Sequence, residues 1–124
     1  MTKTAVLVTG SRDWHDHKKI RTALYEHPVG TLVIHGDAGG ADSIARNVAE
    51  ARGMPIAHVP YFKGLGRAGG PVRNSVMLDI ILGLQGRGYE VRYEAFHPDI
   101  SKSKGTKDMV TKCDKAGMLG RVHA

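Results

Sequence analysis

The sequence predicts an α/β fold: a three-layer sandwich with a mostly parallel central sheet of about five strands and helices on both faces. Three observations carry it. Strand-like and helix-like patterns alternate along the chain, as they do when helices cross over between parallel strands. The first two strand runs, TAVLVT at 4–9 and TLVIH at 31–35, are mostly apolar and β-branched, as in strands covered on both faces. Glycines gather where strands give way to helices, in GSR, HGDAGGAD, GRAGGPVRN and SKSKGTKD.

The elements follow in order. After the strand at 4–9, GSRDWHD reads as a loop, and Ile20, Ala23 and Leu24 mark a helix over 18–26. The strand at 31–35 leads through HGDAGG into a helix from Ala41 to Gly53. There Ala41, Ile44, Ala45, Val48 and Ala49 form one apolar face. Residues 55–59 read as a short strand and 60–70 as a glycine-rich loop. Pro71 suits a first helical position. Val76, Met77, Ile80, Ile81 and Leu84 give that helix its face, and Gly86 and Gly88 close it. Residues 89–96 alternate partly and read as a strand, and HPDISKSKG reads as a loop. Thr106, Met109, Val110, Cys113 and Ala116 mark the last helix, followed by a strand at 118–122.

The chain has 124 residues, 41% of them hydrophobic, which fits a single domain over 1–124. A chain of this size buries roughly two-thirds of its unfolded surface without staples. Cys113 is the only cysteine, so no intrachain disulfide forms, and a reducing cytoplasm is the expected setting. MTKTAVLVTG reads as a buried strand rather than a signal peptide. No apolar run approaches the roughly 20 residues of a membrane span.

Lysine and arginine number 18 against 12 aspartates and glutamates, a formal charge of +6 that suits an anionic partner. Lys102, Lys104, Lys107, Lys112 and Lys115 crowd one stretch. Aromatic residues are few, so stacking platforms for single-stranded nucleic acid are sparse.

In open parallel sheets ligands bind beyond the carboxyl ends of the strands, so the four glycine-bearing loops should converge on one edge. Gly10, Ser11 and Arg12 offer close backbone approach, a hydroxyl and a cation. Gly36, Gly39 and Gly40 lead into a helix N-terminus, whose free N–H groups favour phosphate. Asp42 in that first turn either caps the helix or holds a ribose hydroxyl. Arg67 and Arg73 flank Gly70 and Pro71, with Asn74 behind, as an anion clamp. Ser103, Gly105 and Thr106 open the last helix, where a hydroxyl serves either as cap or as phosphate ligand. Together the loops point to a phosphate-bearing ligand.

GSRDW, HGDAGGAD, GRAGGPVRN and SKGTKDM, in this order across essentially the whole chain, resemble the SLOG superfamily. That Rossmann-like group includes the LOG cytokinin-releasing phosphoribohydrolases and the DprA/Smf DNA-processing proteins. The resemblance points to its small YspA/YpsA-related branch. It implies a nucleotide or nucleotide-derived ligand, such as a nucleoside phosphate or ADP-ribose, in the crevice between these loops. It also allows a homo-oligomer.

LOG-type enzymes carry PGGxGTxxE, with an essential glutamate three residues after the threonine and an arginine on the preceding helix. Arg73 resembles that arginine. After Thr106, however, the glutamate position holds Met109, and the PGG is missing. Asp108 is one residue early, about 100° around a helix, and is expected to face about a quarter-turn away from the ligand.

Nothing in the sequence asks for a cofactor. The seven histidines form no HxxxH or HExxH pattern, and His15 and His17 lack an evident third ligand, so no metal site is expected. Cys113 lies on an apolar helix face and reads as core. Ser11 lacks the GxSxG of a nucleophile elbow. The leading expectation is a nucleotide-binding protein acting as sensor or sequestering protein. The alternatives are a LOG-like hydrolase of nucleoside monophosphates using Arg73 and Asp108, or a DprA-like nucleic-acid-binding module, which the few aromatics and short loops disfavour.

Overall fold

The computed structural model describes residues 2–37 and 39–124. Five strands form one sheet in the order β3-β2-β1-β4-β5, with every pair parallel. They are β1 (Thr4–Gly10), β2 (Leu32–His35), β3 (Ile56–His58), β4 (Glu90–Phe96) and β5 (Gly120–His123). The helices are α1 (His17–Tyr25), α2 (Ala41–Arg52), α3 (Gly69–Gly86) and α4 (Gly105–Lys115).

The period of two in a strand sends alternate residues of β1 to opposite faces. Val6 and Val8 join Leu24, Ile44 and Phe96 in the core under α1 and α2. Ala5 and Leu7 join Met77, Ile81 and Met109 in the core under α3 and α4. β1 lies between β2 and β4, so the chain reverses its direction of travel across the sheet there. A crevice opens at such a switch point, beyond the carboxyl ends of the strands. Cys113 is fully buried among the second set, and burial pushes its thiol up to about 12, as suits packing rather than nucleophilic chemistry.

Several boundaries differ from those the sequence predicts. α3 begins at Gly69, so Pro71 is its third residue; N–H groups of the first turn have no partner in the helix, so proline fits there too. The expected loop at 60–70 contains a 3-10 turn over Lys63–Ala68, and the one at 97–105 contains another over Ile100–Lys102. The last strand starts two residues later than expected because Gly117 takes φ +76°. The Gly117 and Met118 N–H groups then return to Asp114 and Cys113 to close α4, and Met118 drops into the core.

One buried charge is invisible in the strand pattern. Glu94 on β4 is 2% exposed and accepts from His27 Nε2 at 2.9 Å, Arg121 Nε at 2.9 Å and Nη2 at 2.6 Å, and His123 Nε2 at 2.9 Å. These bonds fasten the edge strand β5 and the end of α1 to the centre of the sheet. No described helix is long and apolar enough to cross a membrane.

Candidate functional site

The crevice has a volume of about 650 Å³, within the range of small-molecule sites. Loops following β1, β3 and β4 and the first turn of α2 all reach it. Gly10, Ser11 and Arg12 line it from the centre of the sheet. A Cβ on Gly10 would lie 2.6 Å from the Ala41 side chain, so this glycine lets β1 end against α2. Ser11 Oγ accepts from the Asp13 N–H at 3.1 Å, which turns the loop back on itself.

Gly36, Gly39 and Gly40, from which backbone donors to a ligand are expected, are not among the residues that line the crevice. The first donor of α2, the Ala41 N–H, bonds to the Ser11 carbonyl at 3.1 Å. Gly40 has φ +60°, and a Cβ there would overlap the Ser11 and Arg12 carbonyl oxygens. Gly40 thus brings the chain against its own first loop, whereas Gly36 faces the Arg73 side chain. Among the described residues of this stretch, Asp42, buried in the first turn of α2, is the one that lines the crevice.

Arg67, Gly70, Arg73 and Asn74 border the crevice from the third loop and α3. Arg67 is exposed, whereas the Arg73 side chain is only 13% exposed, with Nη1 3.7 Å from Asp37 Oδ1 and Nε donating to Asn74 Oδ1 at 3.2 Å. Asn74 is buried and joins α3 to α4: its Nδ2 donates to the Gly105 carbonyl at 3.2 Å and to Asp108 Oδ2 at 2.9 Å. Ser103, Gly105 and Thr106 complete the fourth side. Ser103 Oγ accepts from the Thr106 N–H at 3.0 Å and from that of Lys107 at 3.4 Å, so its lone pairs serve the helix end.

Asp108 lines the crevice, and the quarter-turn displacement expected from the motif is not what the helix adopts. Met109 is the residue that turns away, fully buried in the core between α3, α4 and the sheet. Lys112 Nζ grips both Asp108 oxygens, at 2.6 and 2.7 Å, and with Asn74 fixes the carboxylate toward the cavity. The i to i+4 spacing of Asp108 and Lys112 is a signal the sequence contains. Tyr61, Asp13 and His97 also line the crevice with no sequence motif to mark them, and Lys104 of the lysine-rich stretch joins them. The lining mixes cations (Arg12, Arg67, Arg73, Lys104) with carboxylates (Asp13, Asp42, Asp108). His15 and His17 are exposed, and no cluster of potential metal ligands occurs among the described residues.

Residues 4–61 match the family described as YAcAr, the YspA, cpYpsA-related SLOG family. The Gene 61 protein of Mycobacterium phage D29 is 30% identical over 127 aligned positions, which take in 91% of this chain and 90% of that protein. The chain belongs to the YspA, cpYpsA-related SLOG family. As in other α/β folds with such a switch point, the motifs that mark this SLOG chain stand at one end of the sheet. The X-ray structure of DNA processing protein A (DprA) from Streptococcus pneumoniae is similar in fold, with a TM-score of 0.55 at 16% identity. The match covers 98% of this chain and 59% of that one, so the SLOG chain spans little more than half the length of that DprA chain.

Proposed function

We propose that this protein binds a nucleotide or nucleotide-derived ligand, a nucleoside phosphate or a molecule of ADP-ribose type, in the crevice at the carboxyl edge of the sheet. Its role is that of a cytoplasmic sensor or sequestering protein. The observation that carries the reading is the mixed lining. Arg67 and Arg73 stand beside the α3 N-terminus, whose first turn has no side-chain cap and no acidic residue, and this suits a phosphate. The Asp42 and Asp108 carboxylates accept hydrogen bonds only, which suits ribose hydroxyls. The decisive experiment is a thermal-shift panel of adenine nucleotides, nucleotide sugars and ADP-ribose. A ligand at 100 times its Kd adds about 2.7 kcal/mol, or roughly 10 °C in Tm for a domain of this size. A panel that leaves the transition unmoved overturns the reading.

A second reading, hydrolysis of the N-glycosidic bond of nucleoside monophosphates, draws support from Asp108. The carboxylate is held in the crevice by Asn74 and Lys112 next to Arg73, where it is able to stabilise positive charge developing on a ribose. Release of free base from AMP tests it.

A further inference from the structure

Tyr61 opens the glycine-rich segment between β3 and α3. Among the described residues it is the one Phe, Tyr or Trp side chain that lines the crevice. Its position is fixed from several directions. The Tyr61 N–H donates to Asp37 Oδ1 at 3.0 Å, and its hydroxyl donates to the Gly66 carbonyl at 2.5 Å. The ring lies against the first turn of α3, where a Cβ on Gly69 would stand 2.9 Å from Cζ and 3.0 Å from Cε1. A Cβ on Gly70 would reach ordinary contact at 3.6 Å from Cε2. Any side chain at 69 would therefore push the ring away.

The hydroxyl hydrogen is used on Gly66, so what the half-buried side chain offers the crevice is ring carbon rather than a donor. A flat surface held rigid beforehand takes up a planar group with little ordering cost. We propose that the Tyr61 ring is the stacking surface for the base of a nucleotide bound in the crevice, with the sugar lying toward Asn74 and Asp108. The proposal rests on the nucleotide reading above and adds the orientation of the ligand. Stacking on an aromatic ring tolerates base identity and is equivalent to roughly 5- to 150-fold in affinity. Tyr61 thus favours a ligand that carries a base over a bare sugar phosphate.

The test is calorimetric titration of AMP and of ribose 5-phosphate into the wild type, Tyr61→Phe and Tyr61→Leu. Tyr61→Leu is expected to lose roughly 5- to 150-fold toward AMP while ribose 5-phosphate binds as before. Tyr61→Phe keeps the ring and should retain AMP affinity. AMP binding by Tyr61→Leu at wild-type strength overturns the stacking role and leaves the nucleotide reading intact. Equal losses for both ligands, or equal losses in the Phe and Leu variants, also overturn it, because the residue would then support its loop rather than a base. Wild-type protein that binds nothing in the nucleotide panel removes both proposals together.

Discussion

The Arg73 guanidinium fills the space that Gly36 leaves by having no side chain. A Cβ built on Gly36 would overlap Nη1 and stand 2.8 Å from Cζ. The glycine after β2 thus serves an arginine that arrives from α3. The guanidinium is the far end of a flexible side chain rather than backbone, so Gly36→Ala should displace it at little cost to the fold. The expected outcome is a Tm within a few degrees of wild type and a nucleotide affinity reduced about ten- to a hundred-fold, as for loss of one charge-assisted bond. Titration of Gly36→Ala beside Arg73→Ala checks this; wild-type affinity in Gly36→Ala would show that the guanidinium's position is immaterial.

Gly40 differs in kind from its neighbour Gly39. Its backbone has φ +60°, and its added Cβ would meet the Ser11 and Arg12 carbonyls, of which the Ser11 carbonyl holds the Ala41 N–H. Among the described residues, a Cβ on Gly39 meets the Arg12 oxygen alone, at 3.8 Å. Gly40→Ala should therefore destabilise by roughly 2 kcal/mol or more, and Gly39→Ala by under about 1 kcal/mol. Urea denaturation of the pair checks the ranking, which similar midpoints would contradict.

The sheet was legible because β1 and β2 are buried on both faces and contain little else than apolar residues. The convergence of loops followed from topology alone. What the sequence hid was the destination of particular groups. HGDAGGAD reads as a phosphate cradle because glycines before a helix are compatible with both a ligand and a tight approach of the chain to itself, and only the position of the Ser11 loop decides between them. Asp108 and Met109 were exchanged in role because the motif counts residues from Thr106, whereas the core decides which face of α4 turns inward. The apolar set Met109, Val110 and Cys113 fixes that face, and Asp108 is left on the crevice side. The partners of Glu94 lie at 27, 121 and 123, a separation that no local pattern reports.

Glu94 makes the fold sensitive to acid. Burial by itself would raise its carboxyl, but bonds from His27, Arg121 and His123 outweigh that and hold it at about 2. A carboxyl depressed on folding contributes stability that is present above its unfolded value near 4.5 and is lost as pH falls through that value toward 2. The contribution is on the order of 3 kcal/mol. Glu94→Gln should lower stability at neutral pH by an amount of that order and flatten the decline between about pH 4.5 and 2. Chemical denaturation across that range checks it; parallel pH profiles for the two proteins would place the acid sensitivity elsewhere.

Asp108 and Met109 separate the two functional readings. With Asp108 in the crevice and oriented by Asn74 and Lys112, any cleavage of a ribosyl bond should depend on it. Asp108→Asn keeps the shape and removes the negative charge that stabilises a developing cation, so turnover should fall at least a hundred-fold if the protein is a hydrolase. Met109→Glu is not expected to create the catalytic group of LOG-type enzymes. Met109 is 0% exposed among Leu7, Met77 and Ile81, and a carboxylate there has no partner, so the substitution should destabilise the fold by several kcal/mol. Incubation with AMP, free adenine being followed by chromatography, is the informative assay, with Tm recorded for each variant. On the sensor reading the wild type binds AMP and releases no adenine, and Met109→Glu melts early without gaining activity. Multiple turnover in the wild type that disappears in Asp108→Asn would establish the hydrolase instead. A stable, active Met109→Glu would mean that α4 turns a different face to the crevice than the one described.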